Sequence, residues 1–178
     1  MEITPDIIEE IEDVFNRWII GSIKDLSKSE GISLAFVLMS CAIDYLASFN
    51  IGGETNPNDY KNFLRGYKWF IKKYNPDDIY HSLRCGLVHN FTIKDGKYTL
   101  IHKRPDLHLK IDPKGQIILN FEDFFKDFKR LKKEYFKKIK DPKNKKAGNF
   151  FKRFQTLGFL MKLLSGLKAR VSALLCHT

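Results

Sequence analysis

Three cysteines in 178 residues, Cys41, Cys85 and Cys176, are too few and too scattered to form a disulfide framework. Prolines number six and glycines eleven, so the chain is neither collagen-like nor a low-complexity linker. No run reaches the roughly 18 uninterrupted apolar residues of a membrane span. The nearest, from Ile32 to Phe49, is broken by Asp44 and by serines. The first residues, Met1-Glu2-Ile3-Thr4-Pro5-Asp6, lack the basic and apolar regions of a secretory signal. These absences lead to the expectation of a reducing, cytoplasmic setting and a core built without staples.

Acidic residues are scarce in one place only. Residues 126–170 hold sixteen of the 31 basic residues and three of the 21 acidic ones, Asp127, Glu134 and Asp141. That stretch carries +13, and the remainder of the chain −3, of the net +10. The charge points toward an anionic partner without choosing between nucleic acid and membrane.

Apolar periodicity supplies the fold expectation. Ile7, Ile8, Ile11, Val14, Phe15, Trp18, Ile19 and Ile23 recur at helical spacing. Thr4 is a candidate N-cap with Pro5 at the first helical position, and Gly31 ends the stretch. Ser33 to Phe49 reads as a second helix, apolar all round and therefore central, closed by Gly52-Gly53. Asn56-Pro57 opens a third helix, with Tyr60, Phe63, Leu64, Tyr67, Phe70, Ile71 and Tyr74 on it. Asn75-Pro76 stops it and starts a fourth that runs to Asn90. Residues 91–120 read as a small β insertion: a hairpin of Phe91–Lys94 and Lys97–Ile101 about Asp95-Gly96, alternating Leu107, Leu109 and Ile111, a turn at Pro113–Gly115, and a return strand from Gln116 to Asn120. Phe121, Phe124, Phe125, Phe128, Leu131, Tyr135, Phe136 and Ile139 form a fifth helix. Its other face carries Lys126, Lys129, Lys133, Lys137 and Lys140.

The expected organisation is a helical domain over 1–140, a basic linker over 141–149 and an amphipathic C-terminal helix over 150–178, outside the five-helix core. The apolar arc of that last helix includes Leu157, Leu160, Leu164, Leu167, Val171 and Leu174. Packing on its own core or on a partner subunit is the favoured fate for it, ahead of a membrane surface.

The fourth helix contains Leu83-Arg84-Cys85-Gly86-Leu87-Val88-His89-Asn90. Arg84 and His89, with four residues between them, resemble the R-x4-6-H motif of HEPN domains, small helical bundles that include many RNA-cleaving toxins and defence nucleases. Arg170 and His177 have a permitted spacing too, but lie in the tail. Cys41-Ala-Ile-Asp44-Tyr-Leu46, Leu107-His108-Leu109-Lys110 and the aromatic fifth helix strengthen the resemblance, which covers about residues 1–140. It implies a mainly α, HEPN-like up-and-down bundle, with the β-hairpin insertion and the extra C-terminal amphipathic helix as additions. It also implies a homodimeric, metal-independent endoribonuclease with no cofactor, acting on single-stranded RNA in a defence or toxin–antitoxin context, with an antitoxin or other protein as a further partner.

The side chains suit that chemistry. His has a pKa matched to proton transfer from the 2′-OH. Arg offers a permanently charged fork for phosphate oxygens. Positions five apart on an ideal α-helix differ by about 140° around the axis. One chain therefore would not aim Arg84 and His89 together, whereas two helices about a two-fold would share a cleft, with Gly86 permitting their close approach. Candidate supporting residues are Asp44, able to orient Arg84 or His81, together with Tyr80, His81, Cys85 and Asn90. The Lys126, Lys129, Lys133, Lys137 and Lys140 stripe is a candidate nucleic-acid surface, against the ordinary alternative of a solvated face. His81, Cys85 and His89 share a helical face at i, i+4, i+8, but nothing completes a tetrahedral set, so no metal is expected. His102 and His108 are expected on a solvated strand face. Cys85 stands where catalytic HEPN members mostly have Asn, Asp or His, and this motivates a second reading: a catalytically silent module that binds nucleic acid or a protein.

Overall fold

The computed structural model describes residues 5–157 apart from residues 30, 142 and 145. Thr4, Arg170, Cys176, His177 and the tail leucines from Leu160 onward lie outside the described residues. The fold is mainly helical, with one small two-stranded sheet.

The first helical run is continuous but changes its winding. Helix α1 (Pro5–Phe15) passes through a π-helical stretch, Asn16–Ile20, into α2 (Gly21–Lys28). Helix α3 (Ile32–Ile51) is the central rod. Ala35, Phe36, Met39, Ala42, Ile43, Leu46, Ala47 and Phe49 are buried along it, and it packs on α2, on the Arg84 segment and on the helices over residues 57–65 and 121–139. It is long and apolar enough to cross a membrane, yet more than half of it lies inside the fold, as befits a core helix. Gly52 ends it at φ 78°. Residue 149 passes so close there that a side chain would meet its backbone.

Asn56 caps α4 (Pro57–Arg65), accepting from the backbone N–H groups of Asn58 and Asp59, while Asp59 accepts from the N–H of Asn56. This reciprocal box fixes the helix start. The expected third helix is interrupted at Gly66-Tyr67 and resumes as α5 (Lys68–Ile71). Asn75 then caps α6 (Pro76–Asp78) through the N–H of Asp77. The helix continues as a π stretch, Ile79–Leu87, and finishes as α7 (Val88–Asn90).

The β region differs most from expectation. Asp95 (φ 61°) and Gly96 (φ 56°) take the positive φ that Asp-Gly promised, but no hairpin forms about them. Thr92–Lys94 is instead seated on Gly86 of the preceding helix, so it has no strand to offer. Strand β1 (Tyr98–Ile101) pairs in parallel with β2 (Ile117–Asn120), Tyr98 opposite Ile117 and Ile101 opposite Asn120. Leu107 lies in a 3-10 turn, and Leu109 and Ile111 run back beside β2 through single contacts rather than as a strand. The turn at Pro113–Gly115 is present, with Gly115 at φ 79°.

Helix α8 (Phe121–Ile139) lays its aromatic face on α3. Phe36 stacks on Phe124 at 5.7 Å, and Phe15 sits edge-on to Phe136 at 6.0 Å. The core also reaches past residue 140. Residues 147–157 are helical, and Phe150 is buried against Phe49 at 4.7 Å. Asn149 and Arg153 bond to Asn50 and Ser48 at the end of α3. The first turns of the tail helix are thus part of the core rather than an appendage outside it.

Candidate functional site

Arg84 and His89 meet within one chain. Arg84 Nη1 lies 3.5 Å from His89 Nε2. The expectation that a single helix could not bring them together assumed an α-helical winding. The segment from Ile79 to Leu87 is π-helical, and its wider winding narrows the angle between positions five apart, which brings His89, just past its end, round toward Arg84. The approach occurs within a single chain.

Arg84 is held from the other side by α3. Its Nε and Nη2 both donate to Asp44 Oδ2, at 3.0 and 2.9 Å. The Thr55 hydroxyl, in the loop after α3, donates to the other oxygen of Asp44. One carboxylate thereby fixes the guanidinium plane and leaves Nη1 as the arm toward His89. Burial opposes the charge on Arg84, but the two bonds to Asp44 outweigh it and raise its pKa above the ordinary value. Of the two roles open to Asp44, orienting Arg84 is the one taken. His81 turns away to Asp95, 3.3 Å distant, on an exposed surface.

Gly86 serves the chain's own loop. A β-carbon there would come within 2.5 Å of both Lys94 N and Thr92 O. The residue makes room for the segment after the motif.

Around the pair sit Cys41, Tyr60, Tyr80 and Cys85. Tyr80 is half-buried, its ring edge-on to Tyr60 at 5.2 Å. Burial and its contact with the Cys85 thiol push the Tyr80 phenol up. Burial first, and then the Asp44 charge, also raise Cys41, with Arg84 pulling the other way. Tyr60 is wholly buried and its hydroxyl has no hydrogen-bond partner. Burial and the Asp44 carboxylate keep that phenol neutral. Thr55 and Tyr60 are the site residues that sequence reasoning missed, because only the packing of α3, α4 and the loop between them brings them here. His89 and Asn90 are exposed.

The lysine stripe is a separate surface. Lys126, Lys129, Lys133 and Lys137 project into solvent from α8, and α3 packs against both α8 and the Arg84 segment. Lys140 departs from the stripe: it is half-buried and bonded to Glu12 at 3.0 Å. Burial opposes the Glu12 charge, but Lys132 and Lys140 together hold its carboxyl below the usual range.

His108 is not on a solvated strand face. It is half-buried, with Nδ1 accepting from Asn120 N–H at 3.2 Å and Nε2 at 3.0 Å from the Tyr74 hydroxyl. Tyr74 donates to Asp127 Oδ2 at 2.8 Å, which also accepts from Lys73. With Nδ1 accepting, Nε2 carries the proton and the imidazole is neutral. Burial lowers its pKa, and the acids Asp123 and Asp127 only partly offset this. His102 is exposed and lines a cavity of about 570 Å³ with Lys28, Ser33 and Lys103. Among the described residues, no group of three or more His, Cys, Asp or Glu side chains is placed to hold a metal ion. No family model, curated protein or solved structure matches the chain, so the Arg84–His89 geometry itself is the starting point for assigning a function.

Proposed function

We propose that the chain is a HEPN-like, metal-independent endoribonuclease. The observation that carries this reading is the 3.5 Å approach of His89 to an Arg84 already fixed by Asp44. His89 Nε2 faces Arg84 Nη1 at an exposed position, where a substrate hydroxyl can take the place of that long contact. In the proposed reaction His89 removes the 2′-OH proton. The 2′ oxygen then attacks the adjacent phosphorus, and the 5′ oxygen departs with a proton. A 2′,3′-cyclic phosphate and a 5′-hydroxyl result. Arg84 meets the charge that develops on the phosphoryl oxygens. Asp44 and Thr55 hold Arg84 in place, which spares the reaction the cost of ordering it.

A homodimer fits this chemistry. One chain supplies one motif histidine, and the reaction needs a base and an acid; a second His89 across a two-fold would be the acid. The exposed lysines of α8 would follow the RNA backbone. A toxin–antitoxin or defence setting, a cytoplasmic location and an antitoxin partner belong to the same proposal.

The second reading is a silent HEPN module that binds nucleic acid or a protein. It is favoured by Cys85, whose thiol lies against Tyr80 where a stronger hydrogen-bonding residue is usual. Cutting of single-stranded RNA in the presence of a chelator separates the two. The nuclease reading expects cyclic-phosphate ends from the unmodified protein, with cutting lost and RNA binding kept in His89→Ala. RNA binding with no cutting by either protein supports the silent module, and equal cutting by both removes His89 from the mechanism.

A further inference from the structure

Phe91 is the most conspicuous residue that the proposed chemistry leaves unused. It lies two positions after His89 and is 69 % exposed. Its backbone is left-handed, with φ 53° and ψ 22°. Glycine or asparagine usually takes that position after a helix, because a bulky side chain there is strained. A single exposed apolar residue is ordinary. An aromatic that is both exposed and strained gains nothing for the fold from either condition.

The segment is nevertheless fixed. Phe91 N–H donates to Leu87 O at 3.1 Å. Thr92–Lys94 then lies on Gly86, between Arg84 and His89 in sequence, and Asp95 reaches His81. The backbone is pinned on both sides of Phe91, and the residue stays exposed two positions past His89. An exposed aromatic on a fixed backbone is what a nucleobase stacks on, and stacking accepts every base because each has a π-face.

We propose that Phe91 is a base-stacking subsite for single-stranded RNA, seating a nucleotide next to the phosphate addressed by Arg84 and His89. The proposal rests on the ribonucleolytic reading of that pair. It makes Phe91 a determinant of substrate form, since a base held in a duplex cannot reach the ring.

The test uses the full chain carrying His89→Ala, so that RNA is bound but not cut, and a short fluorescein-labelled single-stranded RNA as probe. Phe91→Gly relieves the left-handed strain, so its melting temperature should equal or exceed the parent's. Its RNA affinity should fall about tenfold, the scale of one lost stacking contact. Phe91→Trp should keep the affinity, and its added emission should be quenched when RNA binds. Unchanged affinity in Phe91→Gly overturns the subsite and leaves the ribonuclease reading standing. A fall in oligomeric state in Phe91→Gly overturns it too, by making the ring a contact between copies. If the parent binds no RNA, the reading of the Arg84–His89 pair fails and the subsite fails with it.

Discussion

Two clusters in this molecule use the same ingredients to opposite ends. Arg84, Asp44 and His89 combine a cation, a carboxylate and an imidazole, as do Lys73, Asp127 and His108 with Tyr74 between them. In the first, the carboxylate spends both oxygens on holding the arginine and its supporting threonine, and the exposed histidine is left with one loose contact. In the second, both nitrogens of the half-buried histidine are occupied and the tyrosine proton is committed to Asp127. The first arrangement keeps hydrogen-bonding capacity at the surface, and the proposed reaction uses it. The second has almost none, and so its contribution is to hold β2, α8 and the residues before α6 together. A histidine near a carboxylate therefore says little until its second nitrogen is accounted for.

The sharpest way to break this contrast is to remove each carboxylate. Asp127→Ala leaves the buried Tyr74 hydroxyl without its charged acceptor, while the half-exposed Lys73 ammonium turns to water, and should cost about 2–3 kcal/mol in chemical denaturation. RNA cutting per folded molecule should be unaffected. Asp44→Ala should do the reverse. Cutting should fall about a hundredfold as Arg84 loses its orientation, with a smaller stability loss of about 1–2 kcal/mol. Equal stability losses would erase the contrast.

A smaller effect comes from Gly86→Ala. The helix gains propensity, but the new β-carbon meets the backbone at Thr92 and Lys94. A net loss of about 1–2 kcal/mol is expected, with weaker RNA binding because the loop bearing Phe91 is displaced. Thermal melting and RNA titration report the two parts.

The pH dependence sharpens the contrast further. Burial depresses the pKa of folded His108 below its ordinary 6.5. Between the folded and unfolded values the unfolded chain binds the extra proton, so stability is present above pH 6.5 and is lost as pH falls below it. A melting temperature that declines through this window should become flatter in His108→Gln. The smallest effect belongs to α8: Lys133→Ala and Lys137→Ala should leave stability within about 0.5 kcal/mol, while the salt dependence of RNA binding weakens.

Much of the helical fold was legible, because its signals are local. Asn56-Pro57 and Asn75-Pro76 mark helix starts by capping chemistry, and the apolar run of α3 reads as central because no face of it is polar. The candidate site was legible in its members but not in its arrangement. Arg84, His89 and Asp44 could be named from the chain. The π winding that joins the first two could not, because the spacing of apolar residues does not reveal a locally wider helix. The cost of Gly86 inside a helix was visible, but the occupant of the space it leaves was not. The Asp95-Gly96 turn had the expected backbone angles, but its expected strand partner was taken by Gly86. Tyr60 and Thr55 depend on long-range packing and carried no local signal.

The central claim is that Arg84 and His89 act as one unit. Its most direct test is the single-turnover cutting rate of four proteins, in chelator: the unmodified chain, Arg84→Ala, His89→Ala and the double variant. Each single change should remove most of the activity, and the double variant should fall little further. Losses that simply multiply, or a single variant that cuts like the parent, would contradict it.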